Sequence, residues 1–229
     1  MASRGDAPAT RKRSISKSSE QRVPPYEQLK TGILNGDLEP GSPLVEAALA
    51  EWCGVSRTPI REALRQLQQD GLVQRSDRGL VVRKRGPEEI IDIYDARMVL
   101  EATTARVAAD RRTDYDIRLL RVMLDRGEQI STRDSDAMVE SNQQFHETVW
   151  RAGHNEALTD LLDRLVTQLH RYPGTTLSTP GRWETALRQH REIVEAIAKR
   201  DGDAAYDAAM RHFLEARDIR MALFANGGE

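Results

Sequence analysis

Arginine recurs at every fourth position in a short stretch near the front of the sequence. Residues 54–64 read GVSRTPIREAL, and the series of arginines comprises Arg57, Arg61 and Arg65. A helix that begins after Ser56 turns by about 100° per residue, which places these arginines and Thr58 on one face. The neighbouring face carries only apolar residues: Ile60, Ala63, Leu64 and Leu67. Because guanidinium groups hold phosphates and pair with guanine, this face is a candidate DNA-binding surface; the alternative is an ordinary solvated face.

Three histidines interrupt the apolar stripes of helices predicted further along the chain. They are His146, His190 and His212, and Asn142 precedes His146 by one helical turn. A buried imidazole without a partner costs about 1 to 3 kcal/mol, so such residues must be hydrogen-bonded or coordinated. The pattern predicts convergence of the four side chains on a divalent metal, with Zn or Ni favoured by imidazole ligands. The alternative is that each histidine is satisfied separately in the core.

Arg97 also lies on an apolar stripe, in the segment YDARMVLE. One interpretation is an ion pair with Glu101, four residues later on the same helix. The other is effector binding, because the bidentate fork of arginine suits a small carboxylate that bridges Arg97 and the metal. Two further histidines, His154 and His170, lack such placement and are predicted at the surface, whereas Cys53 is predicted as a buried residue.

The composition indicates the elements that must position these residues. With 39% hydrophobic, 31% charged and only 5% aromatic residues, the chain is expected to fold as a mainly α-helical globular protein. Its single cysteine leaves no pair for an intrachain disulfide, and we find neither an apolar run of membrane-spanning length nor a signal-peptide core. We therefore expect a cytoplasmic protein without a membrane partner.

Charge and Gly/Pro punctuation divide the chain into three parts. Residues 1–23 are rich in Ser, Arg and Lys and are predicted to be a disordered basic arm. Residues 24–85 are predicted to form three helices and a β-hairpin, with strands at 72–75 and 80–83. Gly54 ends the second helix just before the arginine helix, and with the hairpin this arrangement predicts a winged helix-turn-helix.

The remainder, residues 88–226, is predicted to be an all-α antiparallel bundle. Its six helices are expected near residues 88–110, 114–132, 134–153, 155–172, 180–200 and 203–226. Thr113 with Asp116 is expected to form a capping box at the start of the second of these. We expect this domain to bind an effector and to dimerise.

The segment LVEAALAEWCGVSRTPIREALRQLQQDGLV, followed by a short wing, resembles the DNA-binding domain of GntR-type bacterial transcriptional regulators over about residues 24–85. The resemblance implies that Arg57, Thr58 and Arg61 touch DNA, joined by Arg65 and by Gly79 at the wing tip. It also implies binding as a homodimer to palindromic operator DNA.

The bundle resembles the FadR-type C-terminal ligand-binding (FCD) domain, and its six helices suit the VanR-like subgroup. Many members of that group bind a metal through an aspartate, a histidine four residues later and two histidines on subsequent helices. This chain matches His146, His190 and His212 but has Asn142 in place of the aspartate. Regulators of this kind often sense organic acids, which supports Arg97 as an effector-binding residue.

These observations predict a transcriptional repressor whose C-terminal helical domain binds a divalent metal and a small organic acid, and this acid is the effector that alters operator affinity. The alternative from another class is a metal-dependent hydrolase, since three histidines with an open position can activate water. The chain lacks HExxH, the zinc-protease motif that would support that alternative. A third alternative is a metal that serves only to stabilise the fold.

Overall fold

The computed structural model describes residues 23–77, 79–169 and 175–226. The predicted basic arm, apart from Val23, and His170 lie outside these residues. Within them the protein is mainly helical, with a single two-stranded antiparallel sheet, which confirms the predicted fold class.

The front of the chain folds into three helices and a hairpin around its own core. The elements are α1 (Pro25–Leu34), α2 (Glu46–Cys53), α3 (Arg57–Gln69), β1 (Val73–Ser76) and β2 (Gly79–Val82). Their buried apolar residues include Leu29, Ile33, Ile60, Leu64, Leu67 and Val82. Cys53 belongs to this core, as predicted.

A tight turn sets the angle between α2 and α3. Gly54 has a φ of 65°, a left-handed conformation that glycine adopts without steric cost. The backbone N–H of Val55 donates to the carbonyl of Ala50, and Ile60 packs into the core beside this turn. Ser56 occupies the N-cap position of α3, although its side chain makes no capping hydrogen bond within the described residues.

Each strand of the hairpin differs by one residue from the prediction: β1 begins one residue later and β2 begins one residue earlier. Leu72 is not the first strand residue, because its N–H donates to Leu67 at the end of α3. The strands pair in a register that sets Ser76 opposite Gly79, so Gly79 begins β2 rather than lying in the turn. The result is a wing that projects directly after α3.

Six α-helices follow in the described part of the chain, as predicted. They are α4 (Pro87–Arg111), α5 (Asp114–Glu128), α6 (Ser135–Ala152), α7 (Glu156–Leu169), α8 (Arg182–Ala198) and α9 (Gly202–Ala225). The Thr113–Asp116 capping box is present at the start of α5. Helix α5 ends four residues before the predicted position, because Gln129 and Ile130 turn back onto carbonyls three residues earlier.

Helix α4 lies at the centre of the bundle and contacts α6, α7, α8 and α9. Both α4 and α9 contribute several small buried residues to the core of the bundle: Ala102, Ala105, Ala108 and Ala109 on α4, and Ala205, Ala208 and Ala209 on α9. Among the residues that the structure describes, none of the helices combines the length and apolar character of a membrane span.

Candidate functional site

The first candidate site is the outward face of α3. Arg57, Thr58, Arg61 and Arg65 are all exposed, whereas Ile60, Ala63, Leu64 and Leu67 are buried. Helical spacing thus gives α3 one apolar side that packs on α1 and α2 and one cationic side that faces solvent. The wing adds exposed Gly79, with a φ of 103° and, among the described residues, no atom within 4 Å of where a Cβ would stand.

The three arginines of α3 differ in their neighbours. Arg61 donates from Nε to Glu46 Oε2 on α2 at 2.7 Å, and Arg65 donates to Glu62 Oε1 at 2.5 Å. Arg57 makes no hydrogen bond or ion pair with any described residue. Exposed ion pairs of this kind contribute about 0 to 1 kcal/mol, so a phosphate can displace the carboxylates.

The second candidate site lies inside the bundle, where three histidines converge. His146 on α6, His190 on α8 and His212 on α9 are each at most 3% exposed, and one ring nitrogen from each lies within 4.8 Å of the others. The three histidines therefore share one location, in agreement with the sequence pattern, and their role as metal ligands stays a prediction. His154 instead lies at the surface, with Nε2 at 3.0 Å from Asp116.

The polar atoms of this cluster suit a metal ion. His146 Nε2, His190 Nε2 and Asn142 Oδ1 are buried, and no described residue offers any of them a hydrogen bond. His212 is held through Nδ1 by Gln189 Oε1 at 2.9 Å, which leaves its Nε2 lone pair available when Nδ1 carries the proton. Two imidazole nitrogens and one amide oxygen without partners in a protein core match the donors that Zn and Ni accept.

Burial keeps these imidazoles neutral. Removal from water lowers the pKa of His190 to about 3, with the positive charge of Arg182 as a further cause. The pKa values of His146 and His212 are lowered well below the ordinary value, first by burial and then by the neighbouring histidines and by Arg97 and Arg182. A neutral imidazole has the lone pair that coordination requires.

Glu101 connects the histidine cluster with the candidate effector residue. Its carboxylate is 2% exposed; Oε1 accepts from Arg97 Nε at 2.9 Å, and Oε2 accepts from Trp150 Nε1 at 2.6 Å. Glu101 Oε2 also lies 4.0 Å from His146 Nδ1. Burial raises the pKa of Glu101, while Arg97 and Trp150 act in the opposite direction. The sequence indicated the pair with Arg97 but not the approach to His146.

A cavity of about 400 Å³ adjoins the cluster and is lined by Asn142, His146, His212 and Arg97. The guanidinium of Arg97 lies 4.9 Å from the centre of the Phe213 ring, and its Nη2 is buried without a partner among the described residues. Thus Arg97 both pairs with Glu101 and faces the cavity, so its two sequence-based interpretations are compatible.

Two further arginines at this cavity, Arg182 and Arg220, were missed by the sequence reasoning. Both residues are buried, at 3% and 5% exposure, and both line the cavity. The apolar stripe of α8, extended one turn toward its N-terminus from Ala186, would have reached Arg182. Residue 182 falls inside the predicted helix near 180–200, and in the structure α8 begins at Arg182, directly after Gly181 with a φ of 77°.

An exposed arginine helix with a wing, joined to a helical bundle with an internal cavity, defines the class of DNA-binding regulators that have a separate effector domain. Residues 25–82 match the bacterial regulatory proteins of the gntR family, and residues 92–215 match the FCD domain. The chain therefore belongs to the GntR family of bacterial transcriptional regulators and carries an FCD domain.

Individual relatives agree with this assignment. The chain is 34% identical over 192 residues to the uncharacterized HTH-type transcriptional regulator YdhC of Bacillus subtilis strain 168, covering 82% of this chain and 85% of YdhC. It is 30% identical to the HTH-type transcriptional repressor RspR of Escherichia coli K12, covering 83% and 84%. The solved structure of E. coli McbR/YncC has the same fold, with a TM-score of 0.68 at 20% identity and coverage of 87% and 96%.

The predicted class, a transcriptional regulator rather than an enzyme, is confirmed by these comparisons. They give no support to the hydrolase alternative. The assignment to the VanR-like subgroup and the roles of individual site residues stay predictions.

Proposed function

We propose that the protein is a dimeric repressor that binds a palindromic operator through α3 and the wing. A divalent metal, Zn or Ni, and a small organic acid bind in the bundle and change the affinity for the operator. The observation that supports this most is the group of buried, unpartnered polar atoms at the cavity, since a purely structural core would not retain them. The similarity to RspR, a transcriptional repressor, supports the sign of regulation.

The DNA contacts are assigned to the outward face of α3. Arg57, Thr58 and Arg61 contact bases or phosphates of the major groove, Arg65 contacts the backbone, and Gly79 lets the wing approach the minor groove. Exposure of all five residues supports this assignment. A palindromic operator is met by two copies of the chain, because a two-fold axis relates both the half-sites and the subunits.

In the bundle, Asn142, His146, His190 and His212 would hold the metal. When bound, this ion would supply a positive charge that attracts a carboxylate oxygen. Arg97 orients the acid, because its unpartnered Nη2 can donate to the acid while Nε remains bonded to Glu101. The acid therefore enters a site in which Glu101 already holds the guanidinium of Arg97 in position.

A contact between the domains provides a route from the cavity to the DNA-binding helix. Arg85 donates from Nη2 to the carbonyl of Gly71, two residues after α3, and to Gln168 Oε1 on α7. Gln168 lies between Val166 and Leu169, which line the cavity. An acid that displaces α7 would thus act on Arg85 and on the end of α3, which changes operator affinity if the two states bind DNA differently.

The DNA assignment is tested with a duplex selected by the full chain from a random-sequence library. In fluorescence anisotropy titrations, Arg57→Ala and Arg61→Ala are each expected to weaken binding by roughly 10- to 100-fold. The control Arg188→Ala, at an exposed arginine of α8, is expected to stay within about twofold of the unmodified protein. Metal content should be unchanged in all variants. Retained sequence-specific binding by a variant that combines Arg57→Ala with Arg61→Ala would contradict the assignment.

A metal that only stabilises the fold is the alternative to an effector site. Chelation should then lower the melting temperature, while no organic acid changes it in the metal-loaded protein. The proposed function predicts both effects: a loss of stability on chelation and a rise in melting temperature when an acid binds.

A further inference from the structure

The charges that line the cavity are strongly unequal. Of the described residues that line it, three are arginines, Arg97, Arg182 and Arg220, and one is acidic, Asp136. Asp136 is exposed at the start of α6, whereas Arg182 and Arg220 are buried. Glu101 pairs directly with Arg97, so the least compensated positive charge must be sought among the other arginines.

Arg182 is such a group. Its Nη1 donates to Gln189 Oε1 at 2.8 Å and its Nη2 donates to the carbonyl of His212 at 3.2 Å, so both of these acceptors are neutral. Its Nε is buried without a hydrogen-bond partner in the part of the chain that the structure describes. The nearest carboxylate, Glu215, lies 3.7 Å from Nη1, is about two-fifths exposed and already accepts from Gln189 Nε2 at 2.6 Å.

A buried cation that donates to neutral acceptors and has only a half-exposed carboxylate at 3.7 Å is an unfavourable arrangement unless a further anion completes it. Arg182 Nη2 lies 3.4 Å from His212 Nδ1, and Arg97 pairs with Glu101, whose Oε2 lies 4.0 Å from His146 Nδ1, so both guanidinium groups adjoin the same cluster.

The space between these charged groups is partly apolar. Carbon side chains complete the cavity wall: Val139, Val166, Leu169, Leu177 and Ala216. A ligand with polar groups at its ends and a short carbon chain between them fits such a lining. A monocarboxylate that bridges Arg97 and the metal would leave Arg182 Nε, which has no hydrogen-bond partner among the described residues, still unsatisfied.

We propose that Arg182 is a second anion-binding residue of the cavity and that the effector is therefore a small acid with two anionic groups, such as a four-carbon dicarboxylate. This inference rests on the proposed function, because it specifies the acid that the cavity binds. One acidic group occupies the site at Arg97 and the histidine cluster, and the other takes the unpartnered donor of Arg182.

The test compares succinate with butyrate, which have the same chain length and differ by one carboxylate. Zn²⁺-loaded full-length protein is titrated with each acid by calorimetry. Succinate is expected to bind at least about tenfold more tightly than butyrate, the gain from one charge-assisted hydrogen bond. In Arg182→Gln this ratio should fall to about one while butyrate affinity is kept, and Arg188→Gln should keep the original ratio.

Arg182→Lys provides a second variant that retains the charge but not the planar fork. The succinate-to-butyrate affinity ratio of this variant should lie between the ratios of the unmodified protein and of Arg182→Gln. If Arg182→Gln does not fold, the comparison of Arg182→Lys with the unmodified protein is the test. An unmodified protein that binds both acids equally overturns the inference while the proposed carboxylate site stands. The inference is also overturned, and the carboxylate site stands, if the unmodified protein and the folded Arg182 variants show the same succinate-to-butyrate ratio. If neither acid binds, both the inference and the proposed function are overturned.

Discussion

The two parts of this protein place their charged residues in opposite ways. In the described part of residues 23–82 every buried residue in the core is apolar or glycine, and the arginines of α3 face solvent. The bundle instead buries Glu101, Arg182, Arg220 and three histidines. A charge at the surface changes the stability of the fold little, whereas a buried charge must be compensated by an opposite charge or by hydrogen bonds. The DNA-binding face is thus complete without its ligand, but the bundle site is not.

Removal of one proposed metal ligand should have the largest effect on this contrast. His190→Ala is expected to lower Zn²⁺ affinity by more than the roughly 100-fold that loss of an outer-shell partner can cost. DNA binding by α3 should persist, because α3 belongs to a separate core. Competition with a zinc-sensitive dye measures the affinity. His154→Ala, at the exposed histidine, is the matched control, and an equal loss in both variants would contradict the cluster assignment.

Glu101 tests whether the buried charge supports the histidines as well as Arg97. Glu101→Gln keeps the shape but removes the charge that lies 4.0 Å from His146 Nδ1. We expect about 10- to 100-fold weaker Zn²⁺ binding. Glu101→Asp should restore part of that affinity, whereas a merely structural role would lower the melting temperature and leave the metal affinity of the folded protein unchanged.

The contact between the domains is expected to have an intermediate effect. Gln168→Ala removes the side chain that accepts from Arg85 and should leave operator and acid binding each near normal when measured alone. In this variant the acid should change operator affinity by a smaller factor than in the unmodified protein. For the unmodified protein we expect a factor in the roughly 5- to 150-fold range of allosteric coupling. Thr167→Ala on the same helix is the control, and undiminished coupling in Gln168→Ala would exclude this route.

The smallest effect concerns the solvent-facing side of the comparison. Glu46→Gln releases Arg61 from its ion pair and removes a negative charge near the DNA. Affinity for any duplex should rise by a few-fold at most, in keeping with the about 0 to 1 kcal/mol of an exposed pair. The increase should fade at high salt, where exposed charges are screened. A loss of affinity would show that Glu46 positions Arg61 productively.

The sequence predicted features that depend on helical spacing. The exposed face of α3 and the convergence of His146, His190 and His212 both follow from periodic patterns within single helices. The sequence did not reveal the partners that come from distant segments. Arg85 and Gln168 are 83 positions apart, and the approach of Glu101 to His146 depends on how α4 packs against α6.

Ends of elements were the other source of error. The hairpin differs by one residue because Leu72 completes the turn after α3, and α8 starts late because of the left-handed Gly181. Local backbone geometry at helix ends depends on tertiary packing, so periodicity alone does not determine it.

The central claim is that the buried site of the bundle controls the exposed arginines of α3. Its most direct test is the operator Kd of Zn²⁺-loaded protein, measured by anisotropy with and without saturating succinate, malate or tartrate. The account predicts that at least one bound diacid changes this Kd by about fivefold or more, and that Arg97→Ala combined with Arg182→Gln abolishes the change. Acids that occupy the cavity by calorimetry yet leave the operator Kd unchanged would contradict it.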